Sequence, residues 1–398
     1  MRVTITAAGS RGDIAPYTGL GARLRAAGHQ VTLATHDSFA PLVRDAGLCF
    51  RSLPGNARTG PVGDRRQLAR AAAAFGRELA AGLPRAVPED TEALLLSTST
   101  APFGWHLAEA TGVRTLGVYL QPTAPTGDFP PTVGAPRSLG RLGNRAAGRL
   151  SLRVVDRLFA GAIHELRRSL ELPPLAPGAA RRRLEAADWP VLHGFSSVLV
   201  PRPRDWRPGL TVVGNWWPHR AGELPPEVAE FLAAGPPPVF VGFGSMAAGE
   251  GERLGELAVS ALRRAGLRGV LQAGSAGLAA GGDDVLTVGD LPHELLLPRC
   301  VAAVHHAGAG TAAAALRAGI PSVPVPVTAD QPFWAARLAA LGAATPAIPF
   351  AELTGERLAA ALGRVTEERS FGRGASAAAA LLAGEDGAGE VVGVLEGW

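Results

Sequence analysis

Short apolar runs alternate with amphipathic stretches along the first half of the chain. Residues 2–8 are apolar and β-branched, which predicts a buried strand, and a Gly-rich turn follows at 9–13. One face of the helix predicted next carries Tyr17, Leu20, Gly21 and Leu24. A second strand at 30–35 completes a βαβ unit, and further strands are predicted at 93–97 and 115–120. Strands that alternate with helices predict an α/β domain with a parallel sheet.

The same pattern restarts after a segment rich in proline and arginine at 201–226. Strands are predicted at 239–243, 270–273, 285–288, 301–304 and 322–327, and helices at 252–265 and 311–318. The chain is therefore divided into a first domain at 1–205, a linker at 206–226, a second domain at 227–375 and a C-terminal helix at 376–398 that returns to the first domain. Two such domains favour a binding site in the cleft between them.

Composition fits a globular protein of two domains. Of the 398 residues, 47% are hydrophobic and 19% are charged, so two cores can be packed. The formal net charge is +4 and the basic residues are all arginine, which gives little reason to expect nucleic-acid binding.

Cys49 and Cys300 alone cannot form a disulfide framework or a zinc site. Neither a signal segment nor a membrane-spanning run is recognised, so a cytoplasmic protein without integral membrane association is expected.

An arginine recurs every four residues in the middle of the chain. The series comprises Arg137, Arg141, Arg145, Arg149, Arg153 and Arg157. Like charges at this spacing repel each other on a helix. The favoured interpretation is a solvated helix face. The alternative is a docking face for an acidic partner or a membrane surface.

A Gly-rich turn between a predicted strand and a predicted helix carries the clearest candidate chemistry. Gly308 and Gly310 let the backbone approach a ligand closely, and the helix that follows directs its free N–H groups and positive dipole end at the turn. His306 adds a hydrogen-bonding group, and Thr311 can cap the helix. Together they predict a diphosphate cradle. The alternative is a turn with a structural histidine.

Asp330 and Gln331 follow the next predicted strand and should lie at the same edge of the sheet. A carboxylate beside an amide is suited to bidentate hydrogen bonds with sugar hydroxyls. Asp-Gln-Pro by itself would more often be a loop turn. The cradle upstream favours the binding interpretation.

These motifs resemble the donor-binding signature of nucleotide-sugar glycosyltransferases of family 1, which have the GT-B fold. The signature spans 305–331, and Gly-Ser-Arg-Gly-Asp-Ile at 9–14 is similar to the branch that contains glycopeptide-antibiotic, aromatic-polyketide and sterol glycosyltransferases. The resemblance extends over the whole chain, including 213–216 and 243–246. It implies an α/β protein in which two Rossmann-like domains face each other across a deep cleft.

The resemblance also implies roles for single residues. Asp13 would be the general base, with Ser10 beside it, whereas from the residues alone Asp13 could simply complement the dipole of its helix. The donor is expected to contact Gly244, Ser245, Leu291, His293, His306, Gly308, Ala309, Gly310, Thr311, Asp330 and Gln331. The chemistry agrees with these roles, because an in-line displacement needs a base on the acceptor hydroxyl and charge stabilisation on the departing diphosphate.

The acceptor is expected to bind in the first domain. Its candidate stacking residues are Phe75, Phe103, Trp105, Tyr119 and Phe129. Taken singly, each of them is more typical of a core. Plant members of the family place a tryptophan on the base and a glutamate on the ribose, where this chain has Asp290 and Ala314. The difference favours thymidine diphosphate over uridine diphosphate as the donor nucleotide.

The implied activity is inverting, metal-independent transfer of a deoxysugar to a hydrophobic natural product such as an aromatic polyketide, without a cofactor. Three alternatives remain open: a sterol- or lipid-type UDP-glucosyltransferase, a nucleotide-sugar epimerase, and a catalytically silent partner protein. Expected partners are the nucleotide sugar, the acceptor, and either an auxiliary protein or a second copy of the chain.

Overall fold

The computed structural model describes most of the chain. The described residues are 1–55, 65–134, 137–219, 222–244, 249–274, 277–278 and 281–398, with only the backbone described for Arg65. Within them lie two parallel sheets. The first contains β1 (Arg2–Thr6), β2 (Gln30–Thr35), β3 (Cys49–Ser52), β4 (Ala93–Leu96), β5 (Arg114–Tyr119), β6 (Val191–His193) and β7 (Leu210–Val212). The second contains β8 (Val239–Gly242), β9 (Gly269–Gln272), β10 (Val285–Val288), β11 (Ala302–His305) and β12 (Ser322–Pro324).

Fifteen α-helices are found in the described residues. Those before the linker are α1 (Arg11–Ala26), α2 (Ala40–Asp45), α3 (Arg65–Ala86), α4 (Ala101–Thr111), α5 (Gly140–Leu158), α6 (Ala160–Ser169) and α7 (Ala179–Ala186). The others are α8 (Pro226–Ala233), α9 (Gly251–Arg264), α10 (His293–Leu296), α11 (Ala309–Arg317), α12 (Gln331–Ala340), α13 (Gly355–Glu367), α14 (Arg369–Leu382) and α15 (Gly387–Glu396). No described helix combines the length and apolar composition needed to cross a bilayer.

The first sheet has the strand order β3-β2-β1-β4-β5-β6-β7 and is covered on both faces. Successive residues of β4 point to opposite sides: Leu95 joins the cluster that contains Leu20 of α1, and Leu96 joins the cluster that contains Phe103 of α4. A strand buried on both faces must be apolar throughout, which is why β4 reads Ala-Leu-Leu-Leu.

The second sheet has the order β10-β9-β8-β11-β12 and is also a parallel sheet between helices. Val241 of β8 packs with α9 and α13, while Phe240 packs with α10 and α11 on the other face. The predicted fold class, α/β with two parallel-sheet domains, is therefore confirmed.

The predicted strand boundaries differ from the observed ones where a proline ends a strand or where a strand is very short. The last predicted strand was expected at 322–327 but ends at Pro324, because Pro324 and Pro326 have no N–H to donate to a ladder. Strand β7 lies within the predicted linker 206–226 and pairs with β6 in the first sheet. It has three residues, too few to show an apolar period.

The linker and the chain end both contact α1. The Thr18 hydroxyl accepts a 2.9 Å hydrogen bond from the backbone N–H of His219, and a Cβ on Gly19 would lie 1.6 Å from the Trp217 carbonyl oxygen. The predicted segment 376–398 contains the end of α14, which packs on α11 in the second domain, and α15, which packs on α1 in the first.

Candidate active site

Asp13 lies in the first turn of α1, directly after β1, and its carboxylate is held by hydrogen bonds from both sides. Oδ2 accepts from the Ser10 backbone N–H at 2.9 Å and from the Ser10 hydroxyl at 2.8 Å. Oδ1 accepts from Nε2 of Gln121 at 3.2 Å. These contacts orient the carboxylate. They also show that Asp13 complements the N-terminus of its helix, so the two interpretations of this residue are compatible.

A pocket of about 260 Å³ opens beside Asp13. Its wall is formed by Ala8, Asp13, Tyr17, Ser97, Thr98, Ser99, Leu120 and Gln121. These residues follow β1, β4 and β5, whose carboxyl ends meet at one edge of the sheet. The Thr98 hydroxyl donates to Oε1 of Gln121 at 3.2 Å, which fixes the amide that holds Asp13. Except for Asp13, these residues were not predicted from the sequence, and the available signal was a polar cluster directly after a buried strand.

His36 supports the turn that precedes Asp13. Nε2 of His36 accepts from the Gly9 N–H at 3.1 Å, so Nδ1 carries the proton and donates to the Leu53 carbonyl at 3.1 Å. Burial lowers the pKa of His36, which keeps this neutral form. Gly9 has φ +145° and a Cβ there would lie 2.6 Å from Oδ2 of Asp13, so only glycine fits.

The imidazole of His306 lies between two glycines of the predicted cradle. A Cβ on Gly308 would be 2.5 Å from Nε2 of His306, and a Cβ on Gly244 would be 2.8 Å from Cε1. Nδ1 of His306 is buried and has no hydrogen-bond partner among the described residues. Burial lowers the pKa of His306 to about 4, against a smaller raising effect of a backbone hydrogen bond with Gly242. The ring is therefore neutral at pH 7 and retains an unused polar atom.

The neighbouring His305 has a structural role. Its Nδ1 accepts from the Ala307 N–H at 3.0 Å, so Nε2 carries the proton, 3.0 Å from the hydroxyl of Ser322 on β12. Burial lowers its pKa to about 3. Ala307 is buried and has φ +61°, a conformation that favours glycine. The two histidines therefore have different roles. His305 shapes the turn, and His306 faces the cradle.

Ala309, Gly310 and Thr311 form the first turn of α11, where backbone N–H groups lack helical partners. The expectation that Thr311 caps this helix is wrong. The helix starts two residues earlier than predicted, and Gly308 is its N-cap. The predicted cradle residues still lie together at the carboxyl end of β11.

Asp330 and Gln331 begin α12, and both side chains are anchored. The Trp334 indole N–H donates to Oδ2 of Asp330 at 2.8 Å. Oε1 of Gln331 accepts from the backbone N–H groups of Val327 and Thr328 at 2.7 and 3.0 Å, so its Nε2 end is the part suited to a ligand. Burial raises the pKa of Asp330, and the charge of Asp13 raises it further, against a lowering by the Trp334 bond.

Helix α12 and the start of α1 connect the two domains. Phe333 contacts Phe129 with ring centroids 5.2 Å apart, and Nε of Arg337 donates to the Leu199 carbonyl at 2.7 Å. Farther along the cleft the exposed side chains of Arg11 and Asp290 form an ion pair at 3.5 Å. The carboxyl edges of the two sheets therefore face each other.

The remaining predicted donor residues lie after β10 and β8. Nε2 of His293 is 3.5 Å from Oε1 of Gln272, and burial lowers the pKa of this histidine to about 4. Leu291 is partly buried against the cluster around Phe240. Ser245 lies outside the described residues. In the described part of the chain, no three His, Cys, Asp or Glu side chains are grouped so that they could hold a metal ion.

None of the five aromatic residues predicted to bind the acceptor lines the pocket beside Asp13. Their ring partners are His36 for Phe75, Phe159 for Phe103, Trp189 for Trp105 and Tyr119, and Phe333 for Phe129. Phe103 is fully buried. Phe75, Trp105 and Tyr119 are half-buried, so part of each remains accessible.

Comparison with known proteins identifies the family. Residues 271–397 match the family described as erythromycin biosynthesis protein CIII-like, C-terminal domain, and residues 3–94 match the glycosyltransferase family 28 N-terminal domain. The O-mycaminosyltylonolide 6-deoxyallosyltransferase of Streptomyces fradiae is 35% identical over 100% of this chain and 97% of its own length. The chain belongs to the GT-B glycosyltransferases.

One further relative and one solved structure are also similar to this chain. A sterol 3-beta-glucosyltransferase of Arabidopsis thaliana is 32% identical over 93% of this chain, which corresponds to 61% of that protein. The solved structure of a spinosyn rhamnosyltransferase complexed with thymidine diphosphate has a TM-score of 0.69, 20% identity and full coverage of both chains. At that identity the structure supports the fold alone.

The buried histidines should make the glycosyltransferase sensitive to acid. The pKa is lowered to about 4 or below in His106, His193, His293, His305 and His306, in each case mainly by burial. Their unfolded pKa is near 6.5, so only the unfolded state takes up protons as pH falls from about 6.5 to 4. The free energy of unfolding should therefore change little between pH 8 and pH 7 and fall steadily below 6.5.

Urea unfolding followed by circular dichroism between pH 8 and pH 4.5 measures this effect. His305→Gln should reduce the slope of the free energy of unfolding against pH by the amount that corresponds to about one bound proton. His164→Gln, which changes an exposed histidine, is the matched control. A stability that stays constant down to pH 4.5 would contradict the burial of these rings.

Proposed function

We propose that the protein transfers a deoxysugar from a thymidine diphosphate sugar to a hydrophobic natural-product acceptor, with inversion at the sugar carbon and without a metal ion. The first domain binds the acceptor beside Asp13, and the second domain binds the donor at His306 and α11. Membership of the glycosyltransferases supports the reaction class. The donor, the acceptor and the mechanism are the proposed part.

The observation that carries the proposal is that the carboxyl edges of the two sheets meet beside Asp13. Arg11, two residues before Asp13 in α1, forms an ion pair with Asp290 of the second domain at 3.5 Å. The proposed proton acceptor therefore lies on the edge of the first sheet that faces the residues predicted to bind the donor. This is the arrangement that a single displacement between two bound substrates requires.

The reaction follows from these positions. The acceptor hydroxyl attacks the anomeric carbon on the face opposite the diphosphate and gives its proton to the carboxylate of Asp13. The bond between the anomeric carbon and the diphosphate oxygen breaks, and the electron pair leaves with the diphosphate. The free N–H groups of α11 and the neutral ring of His306 stabilise that charge by hydrogen bonds. Asp330 and Gln331 bind the sugar hydroxyls.

Thermal unfolding with added nucleotide tests the donor site, because a ligand that binds the folded state raises its apparent stability. We expect a clear increase in Tm with thymidine diphosphate and a smaller one with uridine diphosphate. His306→Ala should lose the increase, and His164→Ala, which changes an exposed histidine, should keep it. A chain that responds to neither nucleotide would contradict the donor site and favour a catalytically silent partner protein.

A sterol-type UDP-glucosyltransferase is the second candidate, since the Arabidopsis relative with that name matches nearly the whole chain. A larger Tm increase with uridine diphosphate than with thymidine diphosphate would favour it. Turnover of UDP-glucose with a sterol, followed by mass spectrometry, would then decide between the two.

A further inference from the structure

The outward face of α5 is apolar where a solvated helix would be polar. Leu142 is 87% exposed, Leu150 58% and Val154 55%, and the three share one face because they are spaced by multiples of four. Just before the helix, Leu139 is 62% exposed. The opposite face carries Asn144 and Gly148, which are buried against the first domain. More than half of the strongly exposed large apolar side chains in the described residues lie between 139 and 155, so this face is unusual within the chain.

Three arginines share this outward face. Arg149, Arg153 and Arg157 are exposed, and no described residue forms an ion pair with them. Of the three earlier arginines of the series, Arg141 pairs with Asp128 at 2.8 Å and Arg145 with Asp205 at 2.9 Å, and Arg137 precedes the helix.

The acidic residue nearest to these three arginines in sequence does not neutralise their charge. Asp156 forms an ion pair with Arg181 at 2.6 Å, and both side chains are largely buried. The face therefore combines long aliphatic groups with uncompensated positive charge.

This combination favours a lipid surface over a protein partner. Specific protein interfaces are enriched in aromatic residues and contain about one hydrogen bond per 100–200 Å². The α5 face has no aromatic side chain, and its outward polar groups are mainly guanidiniums, which suit phosphate oxygens. A second copy of the chain would bring the same arginines together, which opposes self-association through this face. Leucine and valine between arginines are typical of a helix that lies in a membrane interface.

We propose that the outward face of α5 docks the protein peripherally on a bilayer of anionic phospholipid. Leu142, Leu150 and Val154 enter the boundary between headgroups and acyl chains, and the arginines bind the lipid phosphates. The proposal does not depend on which sugar or acceptor is used. It predicts binding that requires both anionic lipid and the apolar residues, and that weakens as salt is raised.

Flotation of the purified full chain with vesicles tests the proposal. Vesicles of equal parts phosphatidylcholine and phosphatidylglycerol should carry the protein to the top of the gradient at low salt, and pure phosphatidylcholine should not. Arg149→Gln with Arg153→Gln should weaken binding roughly 30-fold, given the usual contribution of an arginine near an anionic surface. Leu142→Ser with Leu150→Ser should weaken it to a similar extent.

The matched control changes one exposed arginine and one exposed leucine on α14, Arg373→Gln with Leu381→Ser. This pair should float like the wild type. The proposal is overturned if the wild type does not float with anionic vesicles, or if the α5 and α14 pairs float equally well. It is also overturned if the leucine pair at α5 converts a dimer to a monomer in size-exclusion chromatography, because a second copy would then occupy the face. Circular dichroism checks that each variant is folded.

Discussion

Replacing Asp13 by asparagine is expected to lower kcat by roughly 10²- to 10⁴-fold, the usual contribution of a positioned general base. Asparagine has the same shape and its Oδ1 can still accept the hydrogen bonds from Ser10, while its Nδ2 then faces Nε2 of Gln121 and that bond is lost. It cannot take the proton of the acceptor hydroxyl. Affinity for thymidine diphosphate should be unchanged, because the proposed diphosphate site lies on the other domain. Steady-state kinetics together with calorimetric titration of the nucleotide separate the two effects.

Two further variants show whether the loss comes from the proton acceptor or from the helix. Glu356→Gln removes an exposed first-turn carboxylate from α13, as Asp13→Asn does from α1, and should leave kcat unchanged. Gln121→Leu removes the amide that orients Asp13 and should lower kcat by a smaller factor than Asp13→Asn, without changing KM for the donor. If Asp13→Asn retained wild-type turnover, Asp13 would serve only to cap its helix.

The sequence predicts the fold because the buried strands are continuous apolar runs and the glycines that end them are locally recognisable. Strands β2 and β10 have the predicted bounds, most of the others near the site differ by one or two residues, and β12 ends three residues early. The order of the motifs along the chain also predicts which side chains lie close together, because the carboxyl ends of parallel strands share one edge of the sheet. For this reason His306 and Gly308 are found beside Gly244, although more than sixty residues separate them in the chain.

The sequence does not predict the contacts that hold the candidate catalytic groups. Gln121 reaches Asp13 across 108 residues, and His36 reaches Gly9 across 27, through side chains that have no distinctive neighbours in the sequence. Trp334 looks like an ordinary core residue, yet its indole N–H orients Asp330. Long-range hydrogen bonds of this kind depend on the packing of whole elements, which periodicity does not encode.

The sequence does not decide whether an aromatic residue lies in a core or in a binding pocket. The same ring can fill a core or line a pocket, since both environments bury apolar area. Phe103 fills the core beside Phe159, and Phe129 contacts Phe333 of the second domain. The pocket beside Asp13 is instead lined by hydroxyl and amide groups that follow β4 and β5, together with Ala8, Leu120 and the ring of Tyr17 on α1. A ring is thus a weaker signal for a site than a polar residue at a strand end.

Replacing Gly308 by alanine is expected to weaken thymidine diphosphate binding by roughly 10- to 100-fold, about the contribution of one hydrogen bond to a charged group. Gly308 has φ −63° and ψ 145°, which alanine adopts without strain, so the fold should be retained. The new methyl group would lie 2.5 Å from Nε2 of His306. The ring has little room to move away because Gly244 lies close to Cε1, the adjacent ring atom. The imidazole must therefore turn out of the cradle, or the methyl group must fill it.

Calorimetric titration with thymidine diphosphate measures this loss, and Gly372→Ala on α14 is the matched control. A Cβ on Gly372 would meet no atom within 4 Å, so that variant gains only helix propensity and should bind the nucleotide like the wild type. Combining Gly308→Ala with Asp13→Asn should add the two effects, since one variant weakens donor binding and the other impairs proton transfer. Wild-type affinity in Gly308→Ala would mean that the diphosphate binds elsewhere in the cleft, and that the free N–H groups of α11 serve only the helix.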